Sequence, residues 1–135
     1  MNGTKKVVID ASVVLAVILN QPEKASIINM TGGVALIAPG CLRWEIGNAF
    51  SAMLKQKRLS SAAITEGIGV FKKIPIQEVD SSLEEALELC KRHHIYAYDA
   101  YYLQLAKRSS TPLLTLDKKM LAIAKIENIE TKIIQ

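Results

Sequence analysis

Hydrophobic positions along this chain alternate between short unbroken runs and a three-to-four-residue repeat, which is how strands interleaved with helices read in sequence. Val7-Val8-Ile9 is a β-branched run that stops at Asp10. After Ala11-Ser12, Val13 to Asn20 predicts a short helix, so the stretch reads as the opening of a βα unit with a carboxylate at the strand's end. Pro22-Glu23 opens a second helix through Met30, ended by Gly32-Gly33, and Val34 to Ala38 predicts a second strand closed by Pro39-Gly40. From Leu42 to Lys57 the positions Leu42, Ile46, Ala49, Phe50, Met53 and Leu54 recur at helical spacing. Ser60-Ser61 caps a helix to about Lys73, weakened by Gly67 and Gly69, and Ile74 to Val79 alternates like a strand. Asp80-Ser81-Ser82 with Glu84 and Glu85 predicts a capping-box start to a helix ending near His93-His94. A helix from Ala97 or Asp99 to Arg108, a strand over Pro112 to Leu116, a helix from Asp117 to about Lys125 and a strand over Thr131 to Ile134 complete the chain.

The sum is roughly five strands and seven helices in alternation, the pattern of an α/β fold whose sheet is mainly parallel and covered by helices on both faces. Right-handed crossovers gather the strand ends along one edge, and ligands of open α/β sheets bind at that edge. A chain of 135 residues, 50% of them hydrophobic, fits one domain with a sizeable core, expected over residues 1–135. Repeats, linkers and low-complexity segments are absent from the sequence.

Cysteine usage and charge narrow the setting. Cys41 and Cys90 lie inside apolar helical patterns and read as reduced thiols of a cytoplasmic protein. Lys5-Lys6 followed by apolar residues resembles a secretory leader, but Asp10 interrupts the run and no small-x-small cleavage pattern follows. The longest apolar run, Val13 to Leu19, falls far short of the roughly 20 residues a spanning helix needs, so no membrane partner is expected. A net charge of +4 is compatible with a polyanionic partner and does not require one. The clusters Lys55/Lys57/Arg58, Lys91-Arg92, Lys107-Arg108 and Lys118-Lys119 sit mostly at predicted helix ends, where cations complement the helix dipole or solvate a surface.

Four acids stand apart from these solvated charges because each has an apolar setting: Asp10, Glu45, Asp99 and Asp117. Asp10 and Asp117 both end predicted strands, so a shared parallel sheet brings them to one edge. Glu45 and Asn48, at i and i+3, share a helical face. Each residue also has an ordinary structural use. Asp99 and Asp117 are plausible helix N-caps, Asp10 or Ser12 could cap the first helix, and Glu45 could lie on the surface. Converging carboxylates repel each other unless a cation compensates them. Oxygen ligands suit Mg²⁺ or Mn²⁺, and no Cys/His set has the spacing of a zinc site. A cation beside a phosphodiester activates water for attack, and a second stabilises the leaving oxygen.

The chain resembles the PIN domain family, particularly the VapC-type ribonuclease toxins of toxin–antitoxin pairs. The resemblance rests on Val8-Ile9-Asp10-Ala11-Ser12, Glu45-Ile46-Gly47-Asn48, Tyr98-Asp99-Ala100-Tyr101-Tyr102-Leu103-Gln104-Leu105-Ala106 and Leu114-Thr115-Leu116-Asp117. Singly these motifs are weak, but their order covers nearly the whole chain. The resemblance implies a three-layer fold around a five-stranded parallel sheet, with one or two Mg²⁺ or Mn²⁺ ions and endonucleolytic hydrolysis of RNA. By that analogy Asp10 and Asp99 are the principal metal ligands, Glu45 is a ligand or orients the water, and Asp117 is a second-ion or water-mediated ligand. Ser12, Asn48 and Thr115 are candidates to fix carboxylate rotamers by hydrogen bonding. One departure is Lys118-Lys119 behind Asp117: an Asp117 used as a cap would leave the second ion in question. The implied partners are RNA, a cognate antitoxin protein and a second copy in a homodimer. The competing reading is a catalytically silent PIN-like module that binds RNA or protein.

Other features carry less. Tyr96, Tyr98, Tyr101 and Tyr102 surround Asp99; base stacking is conceivable, but core packing with satisfied hydroxyls is the expectation. His93-His94 sit at a helix end and receive no catalytic role. Trp44 is expected as a core or interface anchor, and the first helices are expected to present an apolar patch to a partner. A dehalogenase-type phosphatase would need Asp where the chain has Ser12, an adhesion-type site a hydroxyl where it has Val14, and a receiver domain an Asp closing Val34 to Ala38.

Overall fold

The computed structural model describes residues 5–134. At its centre strand β1 (Lys6–Ile9) pairs in parallel with β2 (Ala35–Ala38) on one side and β4 (Leu113–Leu114) on the other. Outside these lie β3 (Ile76–Glu78) and β5 (Thr131–Lys132), giving the order β3-β2-β1-β4-β5 with every pairing parallel. The chain winds outward from β1 through β2 to β3, then returns to β4 and winds outward to β5. The reversal falls between β1 and β4, the crevice where such sheets bind ligands.

Seven helices connect these strands among the described residues: α1 (Ala11–Ile18), α2 (Lys24–Thr31), α3 (Cys41–Lys55), α4 (Ser61–Lys73), α5 (Leu83–His93), α6 (Ala97–Ser109) and α7 (Lys118–Ile126). Val7, Val8 and Ile9 are consecutive and all buried, so both faces of the central strand are covered, because successive side chains point to opposite faces. The expected α/β architecture is therefore the observed one, and its core joins β1 and β4 to Val13, Val14, Phe50, Leu103 and Met120 of the helices.

Boundaries differ from expectation where local chemistry intervenes. The first helix starts at Ala11 rather than Val13, because Asp10 caps it by accepting the Val13 N–H. The strand expected over Pro112 to Leu116 reduces to Leu113–Leu114: Pro112 has no N–H, and beyond Leu114 the chain turns through Thr115 into the next helix. Ser82 caps α5 by accepting the Glu85 N–H, but the capping box is not reciprocal. Gln104 takes that place, accepting from the Ser82 N–H at 2.8 Å and donating to Glu85 at 2.5 Å. Helix α4 holds despite Gly67 because the position needs a small residue: a Cβ there would lie 3.0 Å from Phe50 Cζ.

Several surface expectations are corrected. Trp44 is 64% exposed with Arg43 against its ring, so it is no core anchor. Of the first helices, α1 exposes no large apolar side chain and α2 exposes Ile28, while a larger exposed apolar set lies on α3 and α4, at Trp44, Leu54, Ile68 and Val70. Trp44, Leu54 and Ile68 line an apolar groove of ≈ 790 Å³ together with Leu42, Ile46, Phe50 and Phe71. Two of the basic residues expected to solvate helix ends, Arg92 and Lys107, converge with His93 on the buried Glu127. No helix among the described residues is long and apolar enough to cross a membrane.

Candidate functional site

Asp10 leaves the carboxyl end of β1 and is only 4% exposed. Its Oδ1 accepts from the Ser12 hydroxyl at 2.6 Å and the Val13 N–H at 3.2 Å, and its Oδ2 accepts from the Thr115 hydroxyl. The register explains the last bond: Ile9 stands opposite Leu114, so the next residues, Asp10 and Thr115, emerge side by side. Ser12 also accepts from the Leu116 N–H at 3.0 Å, and Thr115 from the Asp117 N–H at 3.0 Å. Both hydroxyls thus tie the Asp10 turn to the segment after β4. Ser12 is not the helix cap; it holds the residue that is.

Asp117 caps α7, and both of its backbone bonds, from the Lys119 N–H at 2.8 Å and the Met120 N–H at 3.2 Å, fall on Oδ1. Asp99 is not a cap. Tyr96 occupies that position, and Asp99 lies in the first turn of α6, half-buried, where the helix dipole favours a negative charge. Glu45, on α3, is half-buried and has one weak side-chain contact, the Cys41 thiol at 3.6 Å. Asn48 is exposed and hydrogen-bonds none of the acids among the described residues; its carbonyl accepts from Ser51.

The four acids feel one another. Burial raises Asp10 above the ordinary carboxylate range, its hydrogen bonds oppose this, and the Asp117 charge adds to it. Burial also raises Glu45, opposed by the Tyr102 hydroxyl and the Cys41 thiol and aided by Asp10 and Asp99, and it raises Asp99, with Asp117 adding and Lys119 opposing. Each acid is therefore linked by repulsion to two others. None of the four forms a salt bridge among the described residues. Neither do three of them close onto one point: no group of three or more His, Cys, Asp or Glu side chains is gathered tightly enough to hold an ion among the described residues. The donor set itself, hard carboxylate oxygens outside any salt bridge, fits Mg²⁺ or Mn²⁺.

The tyrosines divide. Tyr96 is 88% exposed and Tyr98 is exposed, against the expectation that they pack in the core. Tyr102 is 1% exposed as expected, but its hydroxyl is not satisfied: it has no hydrogen-bond partner among the described residues. Burial, followed by the charges of Glu45 and Cys41, raises its ionisation far above the ordinary phenol value. Burial and Glu45 likewise push the Cys41 thiol up to about 12, so both remain protonated neighbours of Glu45. Sequence reasoning placed Tyr102 in the core and missed this neighbour relation. The usable signal was its i+3 spacing from Asp99 on one helix face.

The family model described as PIN domain matches residues 7–126. No curated protein matches the chain. Among solved structures, the chain is similar to PAE2754 from Pyrobaculum aerophilum, with 22% identity, a TM-score of 0.68, and coverage of 88% of this chain and 86% of that one. It is similar to VapBC2 from Rickettsia felis, solved bound to a DNA fragment from its promoter, with 12% identity, a TM-score of 0.67, and coverage of 94% and 97%. A third likeness is to VapC20 from Mycobacterium tuberculosis, a toxin that cleaves the sarcin-ricin loop, with 8% identity, a TM-score of 0.61, and coverage of 86% and 93%. At these identities the likeness is one of fold.

Proposed function

Because this chain belongs to the PIN domain family, we propose that residues 1–135 act as one nuclease domain, a Mg²⁺- or Mn²⁺-dependent endoribonuclease that serves as the toxin of a toxin–antitoxin pair. The observation that carries this reading is the set of four acids linked by repulsion, none of them in a salt bridge among the described residues, around the ends of β1 and β4. Such a set is costly to fold unless a cation compensates it. Asp10 and Asp99 would hold the ion, with Glu45 and Asp117 completing the ligands. A bound cation would supply Lewis-acid activation of water and charge compensation at the scissile phosphate.

The chain's own residues supply rigidity and asymmetry. Ser12 and Thr115 fix the Asp10 rotamer from two sides, leaving little freedom to a buried carboxylate at the end of β1. Asp117 commits Oδ1 to the helix and keeps Oδ2 for an ion or its water. Lys119, exposed beside Asp99, places a positive charge where an RNA phosphate would approach. The apolar groove along α3 and α4 offers an antitoxin segment a surface to bury, and a homodimer would draw on exposed residues such as Leu83 and Leu87 of α5.

The silent-module alternative draws on one observation, the open spacing of the acids. The two readings separate when purified protein is incubated with total RNA, with Mn²⁺ or with chelator, alongside the Asp99→Asn variant. Cleavage that needs the cation and Asp99 supports the nuclease. Binding without turnover supports the silent module, and cleavage that persists in chelator overturns both.

A further inference from the structure

Among the described residues, one buried side-chain polar atom lacks a hydrogen-bond partner, and it lies in the candidate site. Leaving a buried donor unpaired costs about 1–3 kcal/mol, so such a group points to a missing partner. Two of the other acids already have hydrogen-bond partners, and Asp99 lies on the same helix as the unused hydroxyl, three residues before it. Asp10 accepts from Ser12, Val13 and Thr115, and Asp117 accepts from two N–H groups of α7. Glu45 has only the weak thiol contact from Cys41. The unused donor on α6 and the under-satisfied acceptor on α3 are neighbours, since the Tyr102 hydroxyl opposes the upward push of burial on the Glu45 carboxyl.

From this we propose that Tyr102 is a positioning residue whose hydroxyl donates to the Glu45 carboxylate and fixes its orientation in the crevice. Tyr102 stands one helical turn after Asp99, so the bond would link the acid of α3 to the same helix that carries the acid of α6. The half-buried Glu45 side chain is the partner free to turn, whereas the buried tyrosine ring is held in place by the core. Glu45 then keeps its second oxygen for a cation, as Ser12 and Thr115 arrange for Asp10. The inference rests on the metal-centre reading above.

The test compares wild type, Tyr102→Phe, Glu45→Gln and the double variant, with Tyr101→Phe as a control outside the site. Mn²⁺ affinity is measured by calorimetry, RNA cleavage is followed in parallel, and melting checks that each variant is folded. Tyr102→Phe is expected to weaken Mn²⁺ binding roughly 10-fold, the lower end for groups that orient a ligand. It should add no further loss in the Glu45→Gln background. An unchanged Mn²⁺ affinity, or equal losses in both backgrounds, overturns the proposal.

A second readout needs no metal: with tyrosine labelled at the ring carbon bearing the hydroxyl, the Tyr102 NMR signal should move on Glu45→Gln. A signal that responds to Cys41→Ala and not to Glu45→Gln overturns the pairing. Wild-type protein that binds Mn²⁺ but cleaves no RNA would overturn the nuclease reading and leave Tyr102 standing. Cleavage with Tyr102→Phe unchanged in Mn²⁺ affinity would do the reverse.

Discussion

The Thr115 hydroxyl donates to the Asp10 carboxylate across 105 positions of sequence, while its oxygen accepts the N–H of Asp117. One side chain therefore sets the rotamer of one acid and the approach of another. Thr115→Val keeps the shape and removes both bonds. It is expected to lower stability by about 1–3 kcal/mol, as for unpaired buried polar groups, and to slow RNA cleavage roughly 10- to 100-fold. Thr115→Ser should retain most of both. Urea unfolding and a cleavage time course check the pair.

Glu45 carries a charge that burial and the neighbouring acids oppose. Glu45→Gln should therefore raise the melting temperature in chelator by a few degrees, in line with about 0.5–1 kcal/mol from relieved repulsion. The same change should shrink the melting-temperature rise that Mn²⁺ gives the wild type. Opposite signs in the two conditions mark a residue kept for binding at a cost in stability; equal shifts would mark a merely structural one.

Glu127 has the opposite electrostatic character. The Lys107 ammonium, with His93 and Arg92, holds it down to about 2 from its ordinary value of 4.5, against the opposing effect of burial. A depressed carboxylate stabilises the fold fully above about pH 4.5 and loses that contribution as pH falls toward 2. The cleft acids run the other way, since protonation relieves their repulsion. Glu127→Gln should be less stable than wild type by about 1–3 kcal/mol near neutrality, with the curves converging across that acidic window. Circular-dichroism melts at stepped pH read this directly.

Gly67 faces the Phe50 ring at a distance where a methyl group fits only if the ring gives way by a few tenths of an ångström. Gly67→Ala gains about 1 kcal/mol of helix propensity but overpacks the contact, at about 1–3 kcal/mol. A net loss is expected in wild type and a gain in the Phe50→Leu background, measured by urea midpoints.

Much of this arrangement is legible in the residues. Val7 to Asp10, the helical repeat from Leu42 and the Ser82 cap each impose their element locally, so order and type followed from pattern. Asp10, Glu45, Asp99 and Asp117 stood out as acids in apolar settings, and the fold brings them within reach of one another's charge. What escaped were relations that only tertiary contact creates. Gln104 stands out in the sequence only as part of the motif around Asp99, yet it completes the α5 cap. Arg92 and Lys107 read as helix-end charges yet meet on Glu127. Trp44 reads as an anchor because aromatics usually bury, and nothing in its neighbours reveals that its side of α3 faces outward.

The central position of β1 has a consequence for synthesis. Asp10 leaves the ribosome early, but the strand beside it and the hydroxyl that orients its carboxylate are among the later residues made. Glu45 and Asp99 arrive between them, on helices that have no completed sheet to pack against until β4 is inserted. A nascent or truncated chain ending before Thr115 thus carries three of the four acids without the frame that aligns them. Under the proposed nuclease reading, the parallel sheet withholds the assembled set of acids until the chain has passed Asp117.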